Sequence, residues 1–368
     1  MELPVLNDTS AVLPPLYARW MDELLPGPIP AETEATCDDC AMCADGPTRP
    51  GGTEYYFDPR AKCCTFIPEL PNFTVGAVLC DEAPAFASGR KTLEARLATD
   101  VAVTPLGVGR SPTESFLYAR LTEVGGFGRN PDLLCPHYLA SEGGRCGIWR
   151  HRTSVCCTWF CKHVRGELGR VFWRNVQLVL AEAESNLIHW CVVELDPGLE
   201  ALRRLYPIAG VRPSDVDVAG HLDGRLRGPS RDVLWGRWAG RETDFYRECA
   251  HRVQGLCWSD VRTICGPHLA VAERMLKESY AQLRSGDLPQ RLRAAPFQVL
   301  HAREDSFQLV CSNMLDPIDV PRELVQSLHY FDGRPTLHAL AAIAADTGFD
   351  VQDSTVRTLV DFGVLRSA

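Results

Sequence analysis

Between residues 12 and 25 ("VLPPLYARWMDELL"), Leu16, Trp20, Leu24 and Leu25 fall on one face at helical spacing, which predicts a short amphipathic helix. A proline-rich entry loop follows. Residues 37–52, "CDDCAMCADGPTRPGG", carry too much Gly and Pro for regular structure. Residues 99–130 alternate apolar and polar positions with glycines between them, and this predicts strands or an extended loop. From Gly166 the period changes. Phe172, Val176, Val179, Leu180, Ala183 and Leu187 recur at three- and four-residue steps, predicting a helix from about Gly166 to Asn186 that closes the region before it.

From residue 197 to 290 the pattern is mainly helical. "GLEALRRLYP" reads as a helix ended by Pro207, and "ETDFYRECAHRVQGLCW" as another. "GPHLAVAERMLKESYAQLRSG" is a third, with Leu269, Ala272, Leu276, Tyr280 and Leu283 as its stripe and Gly286 just past its end. The polar stretch 212–230 reads as a loop. Beyond residue 291 the texture changes again. "FQVLHAREDSFQLVCSN" predicts a hairpin turning at "REDS". Pro321 then starts a helix carrying Leu324, Val325 and Leu328. "FDGRPT" reads as a turn. Thr336 is placed to cap a helix through Ile343. Asp353 or Ser354 is placed to cap another, which turns Val356, Leu359 and Val360 inward and ends at Gly363. A hairpin with three short helices is a winged-helix-like arrangement. The expected fold is α+β: a loop-rich cysteine-cluster metal-binding domain over 1–195, a helical region over 196–290 and a winged-helix-like domain over 291–368.

The 368 residues suffice for two or three domains with a sizeable core. A net charge of −9 argues against a nucleic-acid binder, which needs a basic face. No apolar run reaches the roughly 18 residues of a membrane span. The first twenty residues lack a basic start followed by an apolar core, so the expected location is cytoplasmic.

The sixteen cysteines alter this ordinary picture. Eleven lie between Cys37 and Cys161. Cys80 among them, and the scattered Cys191, Cys249, Cys257, Cys265 and Cys311, read as small buried hydrophobes. Ten remain as candidate metal ligands: Cys37, Cys40, Cys43, Cys63, Cys64, Cys135, Cys146, Cys156, Cys157 and Cys161. In a reducing cytosol such a cluster points to metal rather than disulfides. Thiolates are soft ligands that select zinc, copper(I) or iron–sulfur clusters. Cys37, Cys40 and Cys43 form C-x₂-C-x₂-C, the spacing of three ligands of a bacterial ferredoxin-type cluster. The fourth position is Pro47, so a fourth ligand must come from elsewhere, with Cys63 or Cys64 nearest. Adjacent cysteines such as 63–64 and 156–157 point in divergent directions, so one of each pair is expected to serve a given ion. Ten thiols exceed one zinc site. The spacing favours a [4Fe–4S] cluster, with zinc a near-equal alternative. His137, His151 and His163 are expected at the surface or behind the ligands. Arg152, inside the cluster, offsets thiolate charge.

"CPHYLASEGGRCGIWRHRTSVC" resembles the YkgJ-type CxxCxxCC family of zinc- or iron-chelating cysteine clusters. The residues that carry the likeness are Cys135-Pro136, Cys146, Ile148, Trp149, Arg152 and Cys156. Thr153 stands where the family has proline, and nineteen residues separate Cys43 from Cys63 where the family packs its CC directly behind. The resemblance implies metal or iron–sulfur binding. Flagellin lysine N-methylases carry a similar module, which implies by analogy a modifying enzyme. The final segment, through "FDGRPTLHALA" to "LVDFGVL", resembles the PqqD-type winged helix. That resemblance implies a peptide or protein substrate adding a strand to a sheet edge, with residues 294–325 supplying the surface. "VGGFGRN" and "PLGVGRS" lack the strand–turn–helix context of a nucleotide loop, and no P-loop, G-x-S-x-G or H-E-x-x-H occurs. No motif singles out a catalytic residue.

Overall fold

The computed structural model describes residues 9–33, 35, 37–38, 40–43, 56–206 and 229–368. Pro47, Pro207 and nearly all of the 212–230 loop fall outside them.

Helix α1 (Pro15–Leu24) buries Tyr17, Trp20, Met21 and Leu24, as its apolar face predicts. Strand β1 (Leu70–Pro71), helix α2 (Asn72–Cys80), helix α3 (Ala87–Thr99), strands β2 (Val103–Thr104) and β3 (Gly107–Val108) and helix α4 (Pro112–Glu123) follow. The expectation of strands or loop over 99–130 is corrected here. Two short strands form, and α4 takes most of the remainder. Its signal is the Ser111–Glu114 capping box with Pro112 in the first turn. None of its residues is buried, so no apolar stripe announces it. Helix α2 escapes notice for the opposite reason. Seven of its residues are buried, and a helix apolar all round has no amphipathic period.

The hairpin β4 (Tyr138–Leu139) and β5 (Arg145–Cys146) leads to the short helix α5 (Ser154–Thr158) and then α6 (Gly166–Leu195). Helix α6 runs past the expected end at Asn186 because Leu187, Cys191, Val192 and Leu195 continue its buried stripe. It stops where Asp196 turns left-handed (φ 37°) before Pro197. Helices α7 (Leu199–Leu205), α8 (Pro229–Trp235), α9 (Glu242–Gln254), α10 (Trp258–Cys265) and α11 (Pro267–Arg284) complete this part. Helix α11 packs along α6, and α9 along α2. One apolar core takes in residues from Leu13 to Leu283, crossing the expected boundary at 195/196. Phe172, Val176, Val179, Leu180, Ala183 and Leu187 of α6 lie at its centre.

The last part holds β6 (Arg291–Ala294), β7 (Gln298–Ala302), β8 (Ser306–Val310), β9 (Ile318–Pro321), α12 (Arg322–Ser327), β10 (Asp332–Pro335), α13 (Thr336–Thr347), α14 (Asp353–Asp361) and β11 (Leu365–Ser367). The strands make two antiparallel sheets, ordered β10–β6–β11 and β7–β8–β9. A second core, including Leu292, Leu309, Leu324, Phe331, Ile343 and Leu359, lies among them. The expected hairpin is β7–β8. "FDGRPT" is largely strand β10 rather than a turn, because β6 offers it an edge. Thr336 is the first residue of α13, not its cap, and its hydroxyl donates to the Pro289 carbonyl at 2.8 Å. Helix α13 continues past Ile343 to Thr347, where Gly348 adopts φ 72°. Gln352, rather than Asp353 or Ser354, is at the cap position of α14. The fold is α+β, as expected.

The α2–α9 contact is very close. A Cβ at Gly76 would lie 1.8 Å from the Tyr246 carbonyl oxygen. Gly76→Ala is therefore expected to destabilise the fold by about 1–3 kcal/mol. Gly255→Ala, whose Cβ would meet nothing nearer than 3.5 Å, should stay within about 0.5 kcal/mol. Denaturant unfolding midpoints compare the two.

Candidate metal centre

All sixteen cysteines are free thiols. The candidate ligands reach one region from four chain segments, tied together by the backbone. Cys135 N donates to the Cys64 carbonyl at 2.8 Å. Lys62 Nζ donates to the carbonyls of Cys37 (2.7 Å) and Gly144 (2.9 Å), joining three segments. In the β4–β5 hairpin Tyr138 faces Cys146. Gly144 turns there at φ 70°, where a Cβ would strike the Tyr138 hydroxyl at 2.3 Å.

Cys37, Cys63, Cys64, Cys135, Cys146 and Cys156 line one cavity of about 230 Å³. Lys62, Arg152, Phe66, Trp149 and Trp159 complete much of its wall. Cys40, Cys43 and Cys161 lie beside it in an apolar nest with Met42, Phe57 and Phe127, and Cys63 packs against that nest as well. Cys157 is set apart. It is buried in the main core, and its thiol donates to the Ser154 carbonyl at 3.5 Å. The 156–157 pair thus diverges as expected, whereas Cys63 and Cys64 both face the cavity. Among the described residues, no group of three or more His, Cys, Asp or Glu side chains is set to hold a metal ion. The thiols lie along the cavity wall instead.

Several readings of single residues need correction. Cys80 and Cys257 are exposed, not buried, because each sits at a helix end facing solvent. Cys311 is half-buried. Of the two places expected for His137 and His163, the surface is ruled out: both are buried, and neither lines the cavity. His137 Nδ1 pairs with the Thr92 hydroxyl at 2.8 Å, and His151 Nε2 with Asp81 Oδ2 at 2.8 Å.

Burial dominates the electrostatics. It pushes the Cys37 and Cys156 thiols up to about 11, and those of Cys146, Cys43 and Cys161 up to about 12. Cys135 shifts in the same direction for the same reason. The hydrogen bond with Cys64, then burial, raises Cys63. Without a cation these thiols hold their protons at neutral pH, so metal binding there must release them. Arg152 opposes the rise at Cys37, Cys63, Cys146 and Cys156. Arg152 as a whole is only 8% exposed. It donates to the carbonyls of Trp149 (3.1 Å), Cys156 (3.3 Å) and Val12, and stacks 3.4 Å from the Trp149 ring centre. It has no carboxylate partner among the described residues. A buried cation without a counter-charge is costly, and ionised thiols across the cavity would supply one.

Glu184 and Lys62 shape the site although no cysteine motif contains them. Glu184 accepts from Ser154 N (2.7 Å), Ser154 Oγ (2.5 Å) and Tyr17 Oη (2.5 Å), and so pins the loop of Cys156 to α6. Its signal was a carboxylate inside the apolar stripe between Leu180 and Leu187. Comparison of the chain with family models, curated proteins and solved structures finds no match.

Glu184→Gln should lower stability by about 2–3 kcal/mol by weakening charge-assisted hydrogen bonds. The loosened loop should also speed alkylation of Cys156 and Cys157. Denaturant unfolding and mass-resolved alkylation read the two effects.

Proposed function

We propose that the cavity holds a thiolate-ligated metal centre, an iron–sulfur cluster in first place, in a YkgJ-type cysteine module. The carrying observation is that six free thiols line one cavity beside the buried Arg152, which has no carboxylate partner among the described residues. The donor set is all sulfur and therefore suits soft metals. Sulfurs on one zinc lie within ~4 Å of each other, given Zn–S of about 2.3 Å. On a cluster each thiolate takes a separate iron. Thiols spread along the wall of a cavity of about 230 Å³ suit the wider centre, and ligation requires them to turn inward. Four of Cys37, Cys63, Cys135, Cys146 and Cys156 are its proposed ligands, with Cys64 as alternate to Cys63. Such a cluster would supply one-electron chemistry. Arg152 balances thiolate charge, Lys62 holds the Cys37 and Gly144 segments together, and the aromatic wall limits water.

A second reading rests on the nest of Cys40, Cys43, Cys161 and Cys63. A closed zinc there would only brace a protein-interaction module.

The C-terminal part is proposed as a PqqD-like winged helix that presents a peptide or protein for modification. Support comes from the β7 edge of the β7–β8–β9 sheet, where Val299 is 48% exposed and an added strand would find free backbone groups. Support for coupling comes from three ties to the segment just after Cys161. Arg165 pairs with Asp361, Ser312 with Glu167, and the backbone N–H of His163 with Asp316 at 3.0 Å. Free thiols fit a cytoplasmic setting. No described helix is long and apolar enough to cross a membrane.

Protein purified without oxygen should be brown and absorb near roughly 400 nm, from thiolate-to-iron charge transfer. Metal analysis should find iron with acid-labile sulfide. Colourless protein with stoichiometric zinc selects the second reading. The Cys146→Ser/Cys156→Ser variant should lose the cluster. Full metal content in that variant, or metal-free wild-type protein, overturns the assignment.

A further inference from the structure

A second cavity, of about 520 Å³, opens between α1, α2, α9 and the Arg150–Arg152 segment. Its volume is that of a small-molecule site. The floor is apolar, formed by Leu16, Phe73, Ala77, Ala250 and Val253. Its charged lining is unbalanced. Arg19, Arg150 and Arg152 bring three guanidinium groups, and among the described residues Asp81 is the one carboxylate. Asp81 is already engaged by His151 Nε2 at 2.8 Å. Arg19 donates to the carbonyls of Gln254 and Leu256, both at 2.9 Å, and Arg152 to three carbonyls, and neither pairs with an acid among the described residues. The exposed Arg150 makes no hydrogen bond or salt bridge among the described residues, though Asp81 lies within its electrostatic reach. Arg152 lines both this cavity and the cysteine cavity, so the two share a wall.

We infer that this cavity binds a small amphipathic anion, its carboxylate or phosphate head held by Arg150 and its apolar body on the floor of Leu16, Phe73 and Ala77. Apolar lining with a few convergent charged groups is the pattern of an orienting small-molecule site. Guanidinium pairs well with either planar carboxylate or phosphate. The site does not depend on what the cysteine cavity holds. A ligand in it would nevertheless sit one side chain away from that cavity.

Isothermal titration calorimetry of the full chain with octanoate, octyl phosphate, octanol and inorganic phosphate tests the inference. One of the two amphipathic anions should bind saturably with one site per chain. Octanol and inorganic phosphate should each bind at least about tenfold more weakly, since a lost charge contact or apolar body costs more than about 1.4 kcal/mol. The tighter of octanoate and octyl phosphate identifies the head group. Arg150→Glu should weaken binding by at least about tenfold. Ala77→Phe, which fills the floor from a half-buried position, should abolish it. Both variants should keep the wild-type melting midpoint and far-ultraviolet circular dichroism. Absence of saturable binding by either anion, octanol binding as tightly as the anions, or wild-type affinity in either folded variant overturns the proposal. Should one variant unfold, the other decides.

Discussion

Two buried carboxylates hold the ends of the segment that carries Cys156, Cys157 and Cys161. Glu184, on α6, receives Ser154 at one end. Glu32, from the entry loop, receives Val164 N at 2.6 Å and Trp173 Nε1 at 2.7 Å at the other. Burial raises both pKa values, while the hydrogen bonds act in the opposite sense. A charged group kept in the interior at such cost is tolerated only when its acceptor sites are filled. The loop is therefore fixed at two points to α6, whose stripe lies in the main core. Everything the cysteine cavity offers rests on that fixation, because a free loop would not keep Cys156 opposite Cys37 and Cys135.

The cavity brings together groups that are individually unfavourable. Its thiols are pushed towards the neutral form by burial, and Arg152 is a buried cation without a carboxylate among the described residues. Each is a partial remedy for the other: ionised sulfur relieves the guanidinium, and the guanidinium favours ionised sulfur. An interior evolved for packing alone would have neither. The same Arg152 also lines the second cavity, so the two cavities share one side chain.

The C-terminal part has its own core, and its ties converge on residues 163–167, directly behind Cys161. Arg165 joins Asp361 and the last turn of α11, through the Leu283 carbonyl at 2.9 Å. A displacement of that part would pull on the segment that both buried carboxylates secure.

The amphipathic elements were legible in the sequence. Helices α1, α6 and α11 and the β7–β8 hairpin follow from a repeat of apolar positions, because one buried face imposes a period on the residues that form it. Of the cysteines that the spacings single out, Cys37, Cys63, Cys64, Cys135, Cys146 and Cys156 line the cavity, and Cys40, Cys43, Cys157 and Cys161 do not. Helices α2 and α4 were not legible by period, one being buried on all sides and the other on none. Only the tertiary structure decided that Cys156 faces the cavity while Cys157 faces the core, that Cys63 touches two thiol groups, and that Glu184 and Arg152 are buried. Those facts depend on which segments meet across long stretches of chain. Spacing along the backbone sets what a residue can reach locally, whereas burial and charge balance are set by its distant neighbours.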